Sequence, residues 1–264
     1  MEDVQKGKAN REFPIKKVGV KDITYPLQFK LKNGSVQPTV ANIAMFVSLP
    51  RHFKGTHMSR FVEILNNHHT DDHWLKNRKN ILEEMKQVLE AKSAYIEISF
   101  PFFMQKTAPV SNQVGTMDYK CTFTGYLGNG KQKPYYETTM QVSVPVTAVC
   151  PCSKTISERG AHNQRGIITV KVDITKRMIW VEDLVSLTEQ AGSCEVYSLL
   201  KREDEKFVTE KGFDNPMFVE DMARETAHLL TEKQWTPFTI EVVNHESIHN
   251  HSAYAFLTEG TFLV

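Results

Sequence analysis

Two cysteines and a histidine crowd one stretch of this 264-residue chain: Cys150-Pro-Cys152-Ser-Lys154, then Arg159, His162 and Arg165. Thiolate and imidazole are preferred ligands of zinc and similar borderline cations. The spacing does not match a structural zinc site made of two CxxC pairs, and too few thiols are at hand to fill four positions. A site short of strong ligands, completed by a carboxylate and water, is the catalytic kind. A loop cysteine pair beside an unrelated histidine is the competing reading. A direct Cys150–Cys152 disulfide across one proline would be strained. The four cysteines, Cys121, Cys150, Cys152 and Cys194, do not form a secreted framework.

Three other stretches carry chemistry. Asn244-His245-Glu246-Ser-Ile248-His249-Asn-His251 gathers three histidines and a glutamate in a chain with 10 histidines. On an extended strand His249 and His251 share a face. Glu246 could orient a ring or take a proton; a polar turn with solvated histidines is the alternative. Lys54-Gly-Thr56-His57-Met-Ser59-Arg60 opens a helix whose free N–H groups and cations could hold an anion. Plain capping by Thr56 or Ser59 explains it equally well. Lys154, Arg159 and Arg165 offer a second set of phosphate contacts. Asn215-Pro216-Met-Phe-Val-Glu220-Asp221 puts Glu220 in the first turn of a helix, where the dipole stabilises a carboxylate. Its two oxygens could also accept parallel N–H bonds from a guanine-like amidine edge.

The elements that must position these groups follow from periodicity. Strands are predicted from Ile15 to Leu31 and Val36 to Val47, joined at Asn33-Gly34. Helices are predicted over His57–Asn67 and Asp71–Ala91, the second capped by Asp71 or Asp72. Strands follow over Ala94–Phe103 and Asp118–Leu127, with a turn at Gly128-Asn129-Gly130. The pattern then repeats: strands Tyr135–Val149 and Gly166–Trp180, helices Val181–Gln190 and Pro216–Glu232, strands Phe238–Val243 and Ser252–Phe262. Ser193–Asn215 reads as a charged linker. Hairpins with paired helices on one face make an α+β architecture of antiparallel sheets. Each half leaves open edges, which call for pairing by other subunits.

Composition narrows the class. Lys+Arg 32 against Asp+Glu 31 leaves a net charge of +1, which argues against a polybasic nucleic-acid binder. No apolar run approaches the ~18 residues of a membrane span, and no secretory start is evident. A cytoplasmic location, with neither nucleic acid nor membrane as partner, is the expectation.

Several segments taken together resemble the type IB GTP cyclohydrolases, the prokaryotic enzymes that open folate synthesis. They are Val144-Pro-Val-Thr-Ala-Val-Cys150-Pro-Cys152-Ser-Lys, Ala161-His162-Asn-Gln-Arg165-Gly, Lys54-Gly-Thr-His-Met-Ser-Arg60-Phe, Leu200-Lys-Arg with Asp204-Glu-Lys, Asn215-Pro-Met-Phe-Val-Glu-Asp221 and Glu246-Ser-Ile-His-Asn-His251. Residues 1–13 are polar and read as frayed, and the resemblance implies a tunnelling fold of two ββααββ units, here 14–130 and 131–264. Such units close into barrels in a homotetramer, with active sites at subunit interfaces. It implies GTP as substrate, hydrolysed at C8 with loss of formate and rearranged to 7,8-dihydroneopterin triphosphate. It implies one divalent metal per active site, Zn, Mn or Fe, held by Cys150, His162 and Glu205. Cys152, Glu246 and His249 would be catalytic, and Glu220 would anchor the guanine. Lys54, His57, Arg60 and Arg165 would meet the triphosphate. Glu203 stands where a proline is expected before Asp204, so a looser loop is expected to present Glu205. A nitrile reductase of the same fold and a purine- or metal-binding module are the rival readings.

Overall fold

The computed structural model describes Gln5, Gly7 and residues 13–68, 74–129 and 134–262. The chain divides into two units, Met1–Phe100 with Thr122–Thr139, and Pro101–Cys121 with Met140–Leu263. The boundary differs from a cut near residue 130 because the long strands β3 (Ala94–Thr107), β4 (Val114–Asn129) and β5 (Pro134–Val149) each contribute to both units. Most of the expected frayed N-terminus, the cap at Asp71 or Asp72, and Gly130 of the expected turn lie outside the described residues.

In the first unit β1 (Ile15–Lys30) and β2 (Val36–Leu49) form an antiparallel hairpin. Asn33 Oδ1 accepts from Ser35 N (2.9 Å) and Ser35 Oγ (2.7 Å), and Gly34 turns the chain at φ +89°. Strand order is β1-β2-β3-β4-β5. Strand period two puts Ala41, Ile43, Met45 and Val47 of β2 on the face that also buries Ala94, Ile96 and Ile98 of β3. Helices α1 (Met58–Asn67) and α2 (Trp74–Val88) add Phe61, Ile64, Leu82 and Met85 to this core. Burying a side chain such as Phe61 contributes roughly 1.5–3 kcal/mol.

The second unit orders its strands β3-β4-β5-β6-β8-β9, with a short β7 (Cys194–Glu195) on β5. Here β6 is Asn163–Asp173, β8 Phe238–His245 and β9 Ala253–Glu259. Val142, Val144 and Val146 of β5, Ile168 and Val170 of β6, and Ile240 and Val242 of β8 alternate into the core. Helices α4 (Val181–Glu189) and α6 (Val219–Glu232) supply Leu184, Val185, Met222 and Leu230. The expected α+β class with antiparallel sheets is what is observed.

Several boundaries differ from the sequence reading. Strands β3 and β4 run further than expected, and Gln105 Nε2 donates to Thr116 Oγ1 (3.0 Å) across the added polar pairs. Strand β6 starts earlier and stops at Asp173, whose Oδ1 accepts from Thr175 N (2.6 Å) and turns the chain. The stretch to Trp180 is therefore not strand. The Cys-Pro-Cys loop is a short helix, α3 (Pro151–Ile156), and the charged linker holds a helix, α5 (Arg202–Asp214). Helix α6 begins at Val219, so Pro216 precedes it, although Glu220 still falls in its first turn.

Candidate active site

Strand β5 ends at Val149 and delivers Cys150 to the start of α3. Cys150 N–H donates to the His162 carbonyl (3.1 Å), which makes the two neighbours across the loop. Pro151 suits the first helical turn, where no partner is needed for its nitrogen. Ser153 N–H donates to Cys150 Sγ (3.5 Å) and Ser153 Oγ–H to the Cys150 carbonyl (3.1 Å). The same Ser153 Oγ accepts from His162 N–H (3.1 Å). One serine thus ties the sulfur-bearing residue to the imidazole-bearing one.

The other side of the site comes from α6. Met217 N–H donates to the Val149 carbonyl (3.0 Å), pinning the approach to α6 against the residue before Cys150. Asn215 Nδ2 donates to the Gly192 carbonyl (3.2 Å), holding the same segment from behind. Phe218 N–H donates to Asp221 Oδ2 (3.0 Å), so Asp221 caps the helix and Glu220 is left for the cleft. That cleft measures about 260 Å³ and is lined by Cys150, Gln164, Glu220, Asn244, Glu246 and Tyr254, together with residues 217–219 and 253.

Behind its wall, His162 Nδ1 lies 2.9 Å from Oε1 of the lining residue Gln164, whose Nε2 donates to Glu246 Oε1 (3.3 Å). Asn244 is 2 % exposed, and its Oδ1 has no hydrogen-bond partner among the described residues. It fits because its cross-strand partner is Gly166: a Cβ there would stand 2.7 Å from that oxygen. A buried amide left unpaired costs about 1–3 kcal/mol. Asn244 lines the cleft together with the carboxylate-bearing residues Glu220 and Glu246.

The structure thus brings Cys150, His162, Glu220 and Glu246 of the expected set into one neighbourhood. It does not bring all of them. Among the described residues no three Cys, His, Asp or Glu side chains stand close enough to hold a metal ion together. Glu205 is exposed on the first turn of α5, and Cys152 is exposed on α3. Arg165 follows Gln164 on β6 and therefore points from the opposite face, away from the cleft side. Lys154 Nζ donates to the Phe213 carbonyl (2.5 Å) and sits 4.4 Å over the Phe213 ring. His249 and His251 do stand together, with ring centroids 5.0 Å apart and 13° between planes, but on a bend rather than a strand.

Lys54, His57 and Arg60 belong to the first unit. His57 occupies the N-cap position of α1 with no side-chain cap bond, so neither Thr56 nor Ser59 serves as the cap. Arg60 Nη1 donates to the Val88 carbonyl (2.8 Å) at the end of α2, which engages part of the guanidinium.

The expected looseness before Glu205 is not found. Asp204 is 0 % exposed and accepts four bonds: Val110 N–H (2.8 Å), Ser111 N–H (2.9 Å), Ser111 Oγ–H (2.5 Å) and Lys201 N–H (2.8 Å). Burial alone would raise its pKa, but the Ser111 hydroxyl and the three backbone N–H groups outweigh it and hold the carboxyl well below the usual range. Glu203 needs no proline beside it because Asp204 fixes the helix start. Nearby, burial together with Glu195 pushes the Cys194 thiol up to about 11, which keeps it protonated and inert.

Gln164 and Asn244 were not singled out from sequence. The signal for Gln164 was present, two residues beyond His162 on a strand and hence on the same face. Nothing in the sequence marked Asn244, because its unpaired state emerges only from packing.

Cys150 and His162 are joined through their backbones, and thiolate and imidazole are donor types that a borderline divalent cation takes. Comparison with known proteins agrees with the expected family. A family model described as type I GTP cyclohydrolase folE2 matches residues 1–255. The chain is 53 % identical over 256 residues to the GTP cyclohydrolase FolE2 of Geotalea uraniireducens (strain Rf4), covering 97 % of this chain and 92 % of that protein. It is 51 % identical to the same-named protein of Azoarcus sp. (strain BH72), covering 97 % and 93 %. Among solved structures, a uricase from Bacillus fastidious has a TM-score of 0.56 at 9 % identity, covering 95 % and 93 %. Urate oxidase from Bacillus sp. TB-90 has a TM-score of 0.55 at 8 % identity, covering 93 % and 99 %. At that identity the likeness concerns the fold, and it accords with the tunnelling architecture. By family match and by identity along nearly its whole length, the chain belongs to the type I GTP cyclohydrolase FolE2 family.

Proposed function

We propose that this chain is a metal-dependent GTP cyclohydrolase of type IB. It hydrolyses GTP at C8, releases formate and yields 7,8-dihydroneopterin triphosphate, the first step of tetrahydrofolate synthesis. The observation that carries the reading is the shared cleft: the Cys150 thiol and the Glu220 carboxylate on a helix N-terminus both line it, and the His162 imidazole is joined to its wall through Gln164.

Cys150 and His162 would hold one divalent cation, Zn, Mn or Fe, with Glu205 beyond the pinned Asp204 as third ligand. Such a cation, when bound, acidifies a water molecule towards neutral pH. Glu220 accepts the N1–H and 2-amino N–H of guanine as a parallel pair and fixes the base. Cys152 and His249 are the candidate donors to the departing ring nitrogen, and Glu246 steadies the polar chain behind His162. Lys54, His57, Arg60 and Arg165 are offered to the triphosphate from other faces or other subunits. The edge strand β9 exposes Tyr254 (59 %) and Phe256 (56 %), which supports closure with further copies into a barrelled homotetramer.

Incubation with GTP and Mn or Zn, followed by oxidation, should give pterin fluorescence. Cys150→Ala and His162→Ala should each abolish it and lower the bound metal. Full turnover by either variant would exclude the metal reading.

A further inference from the structure

Gln164 lies between two groups given roles above and has none of its own. It is buried on β6, its amide spans from His162 to Glu246, and it lines the cleft. The chemistry of this chain of contacts admits one ordering. A carboxylate has no proton to give, so Glu246 can only accept, and the Gln164 atom facing it must be the NH2 group. The carbonyl end of Gln164 then faces His162 Nδ1 at 2.9 Å. A carbonyl accepts as well, so Nδ1 must carry the proton. The lone pair of a neutral His162 ring is thereby left on Nε2.

We infer that Gln164 is a positioning residue: it fixes the tautomer and rotation of His162 so that Nε2 is presented as a ligand atom, with Glu246 setting the direction of the amide. This rests on the reading of His162 as a metal ligand. The backbone of His162 is fixed separately, since its main-chain N–H donates to Ser153 Oγ (3.1 Å) beside Cys150. A metal-bound histidine ordinarily gives its other N–H to a carboxylate or carbonyl, and loss of that partner costs ~10–100-fold in metal affinity. Here the partner is an amide oxygen whose orientation is enforced by a carboxylate one step further out. The role assigned to Glu246 becomes specific, for it acts on His162 through Gln164.

The test has two readouts that do not use turnover. Long-range ¹H–¹⁵N spectra of histidine-labelled, metal-free protein report which ring nitrogen of His162 carries the proton. The Nδ1–H form is expected in the unsubstituted protein and in Gln164→Glu, which keeps an acceptor in place. Gln164→Leu should shift the ring towards the Nε2–H form. Competition with a chelator for Zn²⁺ then gives affinities. Gln164→Leu should weaken Zn²⁺ by ~10–100-fold, with Gln164→Glu near the unsubstituted value. An Nε2–H ring in the unsubstituted protein, or an unchanged tautomer and affinity in Gln164→Leu, overturns the inference. If Gln164→Leu shifts the tautomer while His162→Ala leaves Zn²⁺ binding intact, the ligand role of His162 falls and the orienting role of Gln164 stands alone.

Discussion

Replacement of Glu220 by alanine isolates the guanine-recognition half of the cleft. Glu220 sits in the first turn of α6, lines the cleft and carries no structural hydrogen bond of the kind that Asp221 makes to Phe218. Two N–H bonds to a carboxylate are worth ~1.5–3 kcal/mol each. The Glu220 side chain is exposed in the free protein, so water competes for it and the lower value applies. The sum is about 3 kcal/mol, and one factor of ten corresponds to ~1.36 kcal/mol, so kcat/KM for GTP should fall ~10²-fold. Loss of a carboxylate at a helix N-terminus costs only ~0.3–1 kcal/mol of stability, so the variant should fold and keep its metal. Inosine triphosphate, which lacks the 2-amino group, separates recognition from general damage. The unsubstituted enzyme should prefer GTP over it by ~10-fold or more, the worth of one such bond. Glu220→Ala should erase that preference. Steady-state kinetics with both nucleotides and metal analysis of each sample decide the matter. A Glu220→Ala enzyme that keeps the GTP preference would refute the anchoring argument.

Two further outcomes follow from the second unit. Lys106 and Glu189 pair at 2.6 Å with side chains 14 % and 11 % exposed, and Tyr119 donates to the same Glu189 oxygen at 2.9 Å. Glu189→Leu strands a buried ammonium and should cost ~3–5 kcal/mol, seen as a lower urea midpoint, whereas Lys106→Met with Glu189→Leu should recover most of it; equal loss in single and double variants would contradict the coupling. Asp204 has a folded pKa held below its unfolded value, so the unfolded chain binds the extra proton and stability falls as pH drops below ~4. Asp204→Asn should remove that part of the acid dependence, and unfolding curves of the two proteins at pH 7, 5, 4 and 3 that remain parallel would show Asp204 to be irrelevant to it.

Strands with clean alternation were legible in the sequence. In β2, β5 and β8 the apolar residues fall at every second position, and burial on one face follows directly. Helix α5 was not legible for a physical reason. Only Asp204 and Gly212 of its 13 residues are buried, so no apolar stripe announces it, and its start depends on Asp204 meeting Val110 and Ser111 from a distant hairpin. Helix α3 hid behind cysteine, an uncommon cap, and behind a length of 6 residues. Strand β6 was read too long because Ile174 and Ile179 continue the apolar pattern past the turn at Asp173. The site was legible as residue types and not as partnership. Spacing pointed to Cys150 with His162, and the family resemblance pointed to Glu205. The amide of Gln164 between His162 and Glu246 required the register of β6 against β8, in which Gly166 pairs with Asn244.

The cleft separates two recognition problems that a nucleoside triphosphate poses. Its volume of about 260 Å³ falls below the ~300–1,000 Å³ of pockets that enclose whole ligands, so it suits a base rather than a complete nucleotide. Its lining holds two glutamates and no lysine, arginine or histidine. A triphosphate would be repelled there, so under the proposed function the base would enter the cleft and the phosphates would stay outside it. Arg165 faces the other side of β6, Arg60 bonds the end of α2, and Lys154 bonds the end of α5. Cations for the phosphates would then come from beyond the residues that line the cleft. Tyr254 lines the cleft and also lies on β9, the last strand of the order. A second copy pairing along β9 would bring its residues beside Tyr254 and so beside the cleft, which joins the need for edge closure to the need for charge.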